Sequence, residues 1–128
     1  MCVDSVKILI VEDSQLTIKI LEHILSKEGY RLTIAKDGLQ AIEIIPELRP
    51  DIVLTDVQMP YKGGFEVINF VKQYYKEIPI MVVSAYGDDE GTITKAFDLG
   101  LDDLISKPFN PKELLLRIKR LLINKTIL

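Results

Sequence analysis

Ile52, Val53 and Leu54 follow one another without a polar break, two residues after Pro50 and just ahead of Thr55 and the carboxylate of Asp56. A short run that is apolar on both sides suits a strand covered on both faces, and such strands belong mostly to parallel sheets. Parallel neighbours need long crossovers, usually helical, so the rest of the chain has to alternate strands with helices. The strand ends on Asp56 and is followed by a loop closed by Pro60. A carboxylate at the C-terminal end of a central parallel strand lies in the crevice where open α/β sheets place their ligands.

The flanking sequence meets the demand for alternation. Val6 to Val11 is apolar and β-branched apart from one lysine, reads as a buried first strand, and runs into Glu12, Asp13 and Ser14. Ser14 caps a helix over about Gln15 to Glu28, in which Thr17, Ile20, Leu21, Ile24 and Leu25 recur at helical spacing before Gly29. Leu16 and Ile18 widen its apolar face, which we read as additional core coverage rather than a partner-docking surface. Tyr30 to Ala35 is a second strand, less fully buried. A short helix over about Leu39 to Ile45 follows, presenting Ala41, Ile42 and Ile45, and Pro46 with Pro50 breaks the chain before the central strand.

Beyond Pro60, Gly63-Gly64 permits backbone conformations closed to other residues, and a third helix carries Phe65, Val67, Ile68 and Val71. Ile78 to Val83 is the fourth strand, ending at Ser84-Ala85. Asp88 or Asp89 caps a fourth helix with Ile93, Ala96, Phe97 and Leu99, stopped by Gly100. Leu104 to Ser106 is a short fifth strand running into Lys107-Pro108-Phe109. Asn110, Pro111 and Glu113 supply a cap, a proline at the first helical position and an acidic first turn for a last helix that buries Leu114, Leu115, Ile118, Leu121 and Leu122. The 128 residues therefore read as one α/β domain spanning 1–128, a parallel sheet with helices on both faces.

Composition narrows the function classes. With 16 basic and 19 acidic residues and a net charge of −3, the chain has no strong electrostatic footprint for nucleic acid, and no direct contact with it is expected. No apolar run approaches a membrane span, no signal-type N-terminus is present, and the single cysteine, Cys2, allows no internal disulfide. The expectation is a cytoplasmic protein without membrane contact.

Four of the five strands deliver a polar group to one rim: Glu12 and Asp13, Asp56, Ser84, and Lys107. Each alone is an ordinary strand end, since Asp and Ser favour turns. Together they suit one chemistry. Clustered carboxylates repel one another and make best sense around a hard cation, for which Mg²⁺ is the natural candidate because it takes oxygen ligands and keeps waters that a phosphate can replace. An ammonium and a hydroxyl opposite the metal can hold phosphoryl oxygens, and Asp56 is left as a nucleophile able to form an aspartyl-phosphate.

These residues resemble the receiver domain of two-component response regulators, over Lys7 to about Ile123. The marks are Glu12-Asp13, Asp56 with Met59-Pro60 and Gly64, Ser84-Ala85, and Gly100-Leu101-Asp102-Asp103 leading to Lys107-Pro108-Phe109. The resemblance implies a flavodoxin-like, doubly wound five-stranded parallel sheet of order 2-1-3-4-5. It implies phosphorylation of Asp56 by a histidine kinase or a histidine phosphotransfer protein, in a domain that is not a conventional enzyme but catalyses its own phosphorylation and dephosphorylation. Mg²⁺ would be bound by Asp13, Asp56 and the Gln58 carbonyl, with Glu12 assisting through water, and Ser84, Ala85 and Lys107 would contact the phosphoryl group. A cis bond at Lys107-Pro108, an unidentified downstream protein partner, and a phosphorylation-dependent dimer through helix four, strand five and helix five belong to the same set of expectations.

One departure and two rivals complete the reading. The family's switch aromatic three residues before the lysine is Leu104 here, so coupling to the outer face must run through backbone and aliphatic repacking or through Tyr86. A hydrolase of the haloacid dehalogenase type shares the strand-end aspartate and Mg²⁺, but needs a second aspartate where Gln58 stands. A receiver-like domain that binds partners without phosphorylation has no support from the intact acids, hydroxyl and lysine. His23 reads as a solvated or packed side chain, Tyr74-Tyr75 as packing and surface, and Lys112, Arg117, Lys119, Arg120 and Lys125 as a solvated helix face.

Overall fold

The computed structural model describes residues 6–57, 63–84 and 90–127, the side chains of 124–127 excepted. Its elements alternate without exception: β1 (Lys7–Val11), α1 (Gln15–Ser26), β2 (Arg31–Ala35), α2 (Gly38–Leu48), β3 (Ile52–Thr55), α3 (Gly64–Tyr74), β4 (Ile80–Ser84), α4 (Glu90–Asp98), β5 (Asp103–Ser106) and α5 (Pro111–Ile127). The five strands are parallel in the order β2-β1-β3-β4-β5, the flavodoxin-like arrangement expected.

Burial follows from this order. Every residue of β3 and β4 is buried, as unbroken apolar runs in the middle of a two-sided sheet require, whereas β2 at one edge buries only Ala35. Side chains alternate between two cores. Ile8, Ile10, Ile52, Leu54, Met81, Val83 and Ile105 face α1 and α5. Leu9, Val11, Val53, Ile80 and Val82 face the other side, where Val67 and Ile68 of α3 and Ala96 of α4 meet them.

Local signals set most boundaries. Ser14 caps α1 by accepting from the Thr17 amide at 3.3 Å, and Asn110 Oδ1 caps α5 by accepting from the amides of Lys112 and Glu113 at 2.8 and 3.2 Å. Gly29 and Gly100 carry positive φ of 85° and 98° where their helices stop, a conformation that glycine adopts without steric penalty.

Four expectations are corrected. Pro46 does not end α2 but sits inside its last turn, exposed, and the helix continues to Leu48; Arg49 then closes it in the left-handed region at φ 49°, its amide donating to Ile45 O at 2.9 Å. A proline this close to a helix end forfeits one backbone bond, and its ring here faces solvent. Leu16 is not core: it is 71% exposed, with Ile20 also outside, while Ile18 is buried. Phe97, read as part of the buried face of α4, is exposed. Arg117 and Arg120 are not simply solvated, because both donate to the Asp103 carboxylate at 2.8 Å and so clamp α5 to the edge strand β5. That carboxylate also raises the already high pKa of Arg117, by hydrogen bonding first. His23 is exposed as expected, and Tyr74 and Tyr75 pack around Phe70 with Arg49 over the Tyr75 ring. Asp88 and Asp89 lie outside the described residues, as do Cys2, Met59, Pro60 and Tyr86.

Candidate functional site: an acid cluster at the strand ends

The site is built on the two innermost strands. The Asp56 amide donates to Val11 O at 3.0 Å and the Glu12 amide to Ala35 O at 2.9 Å, so both acids leave the sheet while their backbones are still held by it. Thr55 Oγ1 donates to Asp56 O at 2.8 Å. Glu12 turns inward, 2% exposed, and its carboxylate accepts from the Ser14 amide at 3.1 Å, which ties the acid to the start of α1. Asp56 is 6% exposed, whereas Asp13 faces solvent.

Gly64 fixes Asp56 from below. A Cβ at this position would overlap Asp56 O and stand 2.7 Å from Val57 Cα. The glycine is therefore required by close approach and not by an unusual backbone angle, the reason its sequence context suggested. The first turn of α3 lies directly on the backbone of the acid.

Glu12, Asp13 and Asp56 each present a carboxylate oxygen, and the three oxygens lie within 4.8 Å of one another. Lys107 Nζ enters from β5, 3.2 Å from Glu12 Oε1 and 3.7 Å from Asp56 Oδ2. Three carboxylates against one ammonium leave a local excess of negative charge. Burial pushes the Glu12 carboxyl above its ordinary range and the Asp56 charge adds to the rise, while the Ser14 amide and Lys107 oppose it. A hard divalent cation fits this donor set, since it takes oxygen ligands and the exposed Asp13 leaves the cluster open to solvent.

Ser84 is buried at the end of β4, in register with Ser106, and its carbonyl accepts from the Lys107 amide at 2.8 Å. The peptide bond joining Lys107 to Pro108 is cis, as expected. The structure thus brings Glu12, Asp13, Asp56 and Lys107 into one cluster and sets Ser84 on the adjoining strand end; Gln58 and Ala85 lie outside the described residues. What the sequence reading missed is the Asp103–Arg117–Arg120 clamp and the pairing of Ser84 with Ser106. Helical spacing offered a trace of the first, because Arg117 and Arg120 are three apart on the face that also carries Leu114 and Leu121.

Comparison with known proteins agrees with this geometry. The response regulator receiver domain family matches residues 8–119. A response regulator from Chloroflexus aurantiacus is 33% identical with a TM-score of 0.85, the match covering 91% of this chain and 97% of that one. The receiver domain of a signal transduction histidine kinase from Syntrophus aciditrophicus is 31% identical, TM-score 0.86, over 94% and 92%. The receiver domain of a sensor histidine kinase from Pseudomonas aeruginosa, 28% identical with a TM-score of 0.83 over 91% and 96%, has a magnesium ion coordinated in its active-site cleft.

Proposed function

The chain belongs to the response regulator receiver domain family of two-component signalling, and on that premise we propose that Asp56 is its phosphoacceptor, taking a phosphoryl group from a histidine kinase or histidine phosphotransfer protein and thereby switching a downstream protein contact. The observation that carries this is the cluster itself: a buried carboxylate within 4.8 Å of two others, with an ammonium 3.7 Å away.

A carboxylate oxygen of Asp56 attacks the phosphorus of the donor. The new O–P bond forms as the P–N bond to the donor's imidazole breaks, and the electron pair leaves on that nitrogen. Lys107 releases its contact with Glu12 and holds a phosphoryl oxygen; the Ser84 hydroxyl holds another. The buried backbone of Asp56, pinned by Val11 and Gly64, keeps the nucleophile oriented without moving the sheet. Glu12, Asp13, Asp56 and the Gln58 carbonyl would hold Mg²⁺, which supplies charge neutralisation at the phosphoryl oxygens. The same groups make the domain the catalyst of its own phosphorylation and dephosphorylation.

The donor needs a surface beside Asp56. Leu16 and Ile20 stand exposed next to Pro108 and Phe109, lining a groove of about 290 Å³ that Lys107 also borders. Lys107 borders both this groove and the acid cluster, which supports the groove as the donor's docking surface. Among the described residues no helix is long and apolar enough to cross a membrane.

Incubation with acetyl phosphate and Mg²⁺, read by intact mass and peptide mapping, tests the assignment. A single phosphoryl adduct on Asp56, lost in Asp56→Asn, is expected; sustained turnover without an adduct points to a hydrolase, and undiminished labelling of the Asn variant contradicts the proposal.

A further inference from the structure

Leu104 in place of an aromatic leaves open how Ser84 reports to the rest of the domain, and the hydrogen bonding at the ends of β4 and β5 answers it. Ser84 is 2% exposed, and among the described residues its hydroxyl has one hydrogen-bond partner, Ser106 Oγ, at 3.4 Å. The two serines are register partners at the last rung of the β4–β5 ladder, and the next residue, Lys107, donates its amide to Ser84 O at 2.8 Å. A bond of 3.4 Å between neutral hydroxyls is well beyond the ordinary O–H···O length of about 2.7–2.8 Å and holds weakly.

We infer that Ser106 is a positioning residue for Ser84: it gives the buried hydroxyl its resting partner, and phosphorylation acts on β5 by drawing Ser84 away from it. The inference rests on the reading of Asp56 as phosphoacceptor. A phosphoryl oxygen is a charged acceptor, and charge-assisted hydrogen bonds are roughly twice as strong as neutral ones, so the exchange runs toward the phosphoryl group. Leaving costs little on the other side, because Ser106 is exposed and its hydroxyl can pair with water instead. Among the described residues Ser84 has no other partner while it rests in the sheet, so the Ser106 hydroxyl stabilises the resting arrangement selectively.

The strand carries the change outward. Leu104, two residues before Ser106 and therefore on the same face of β5, packs against the core that includes Ala96 of α4. Release of the serine pair thus reaches the apolar core that holds Ala96, the one buried side chain of α4, and this aliphatic route supplies the coupling that an aromatic would otherwise provide.

Beryllofluoride with saturating Mg²⁺, titrated by NMR into the parent, Ser106→Ala and Ser106→Thr, tests this. Removing the Ser106 hydroxyl leaves Ser84 unsatisfied only in the resting state, so Ser106→Ala should bind the mimic about two- to tenfold more tightly, and Ser106→Thr, which restores the hydroxyl, should return to the parent value. A contact that merely packs the strands lowers the melting temperature in Ser106→Ala and leaves the affinity unchanged. Unchanged or weaker binding by Ser106→Ala, with normal binding by the parent, overturns this inference alone; no saturable binding by the parent overturns the phosphoacceptor reading and this inference with it.

Discussion

α3 and α4 cover the same face of the sheet but are held very differently. Eleven residues of α3 bury Gly64, Val67, Ile68 and Val71, and its first turn rests on the backbone of Asp56. Nine residues of α4 bury Ala96 alone, and Phe97 stands 53% exposed. A Lys95 ammonium over the Phe65 ring, 4.5 Å from its centroid, is a polar tether between them. The difference separates two tasks. The carboxylates follow directly on the closely packed strands β1 and β3, whereas α4 comes after Ser84 and buries one side chain, the kind of element that opens at low free-energy cost.

The contrast can be broken at its firm end. Gly64→Ala forces a Cβ into the Asp56 backbone and should lower stability by about 1–3 kcal/mol in chemical denaturation, the usual result of overpacking, while slowing phosphodonor labelling. A neutral effect on both would mean that α3 is free to shift and that Asp56 is not fixed by it.

A smaller effect sharpens the electrostatic side of the same contrast. Burial and the neighbouring Asp56 charge raise the Glu12 pKa above its ordinary value of 4.5, so folding favours the protonated acid. Its contribution to stability is fully present below 4.5 and is lost as pH rises through the raised folded value. Without divalent metal at neutral pH, Glu12→Gln, which imitates the protonated acid and keeps one of its two acceptor oxygens, should therefore melt higher than the parent, by less than Gly64→Ala melts lower. The difference should shrink with falling pH and disappear below 4.5. Melting curves in EDTA across that range check it, and a gap independent of pH contradicts it.

The smallest change belongs to α4. Phe97→Ala removes a side chain that is more than half exposed and should alter stability by no more than about 0.5 kcal/mol. A loss matching that of Gly64→Ala in the same denaturation experiment would erase the contrast between the helices.

Fold and site were legible in the sequence to the extent that local chemistry decides them. Apolar runs such as Ile52 to Leu54 report burial on two faces, and Ser14, Asn110, Gly29 and Gly100 mark helix ends through bonds or backbone angles made within a few residues. Strand ends sharing one rim follow from parallel topology alone, which is why Glu12, Asp13, Asp56 and Lys107 could be grouped before any distance was known. What escaped depends on tertiary neighbours. Leu16 fits the apolar stripe of α1, yet no described element covers its side of the helix. The pairing of Arg117 and Arg120 with Asp103 needs α5 to cross β5, and the need for glycine at position 64 arises from a backbone seven to eight residues earlier. Pro46 broke a local rule at a helix end, where the rule costs least.

The central claim, that a carboxylate fixed on the firmly packed strands drives the loosely packed side of the domain, is tested most directly by backbone amide shifts on adding beryllofluoride and Mg²⁺. The account predicts changes that run from Asp13, Asp56 and Ser84 through β5 (Asp103–Ser106) and along α4 (Glu90–Asp98), while α3 beyond its first turn stays as it was. Changes confined to the immediate neighbours of Asp13, Asp56 and Ser84, or a response in Val67 to Tyr74 as large as that in α4, would contradict it.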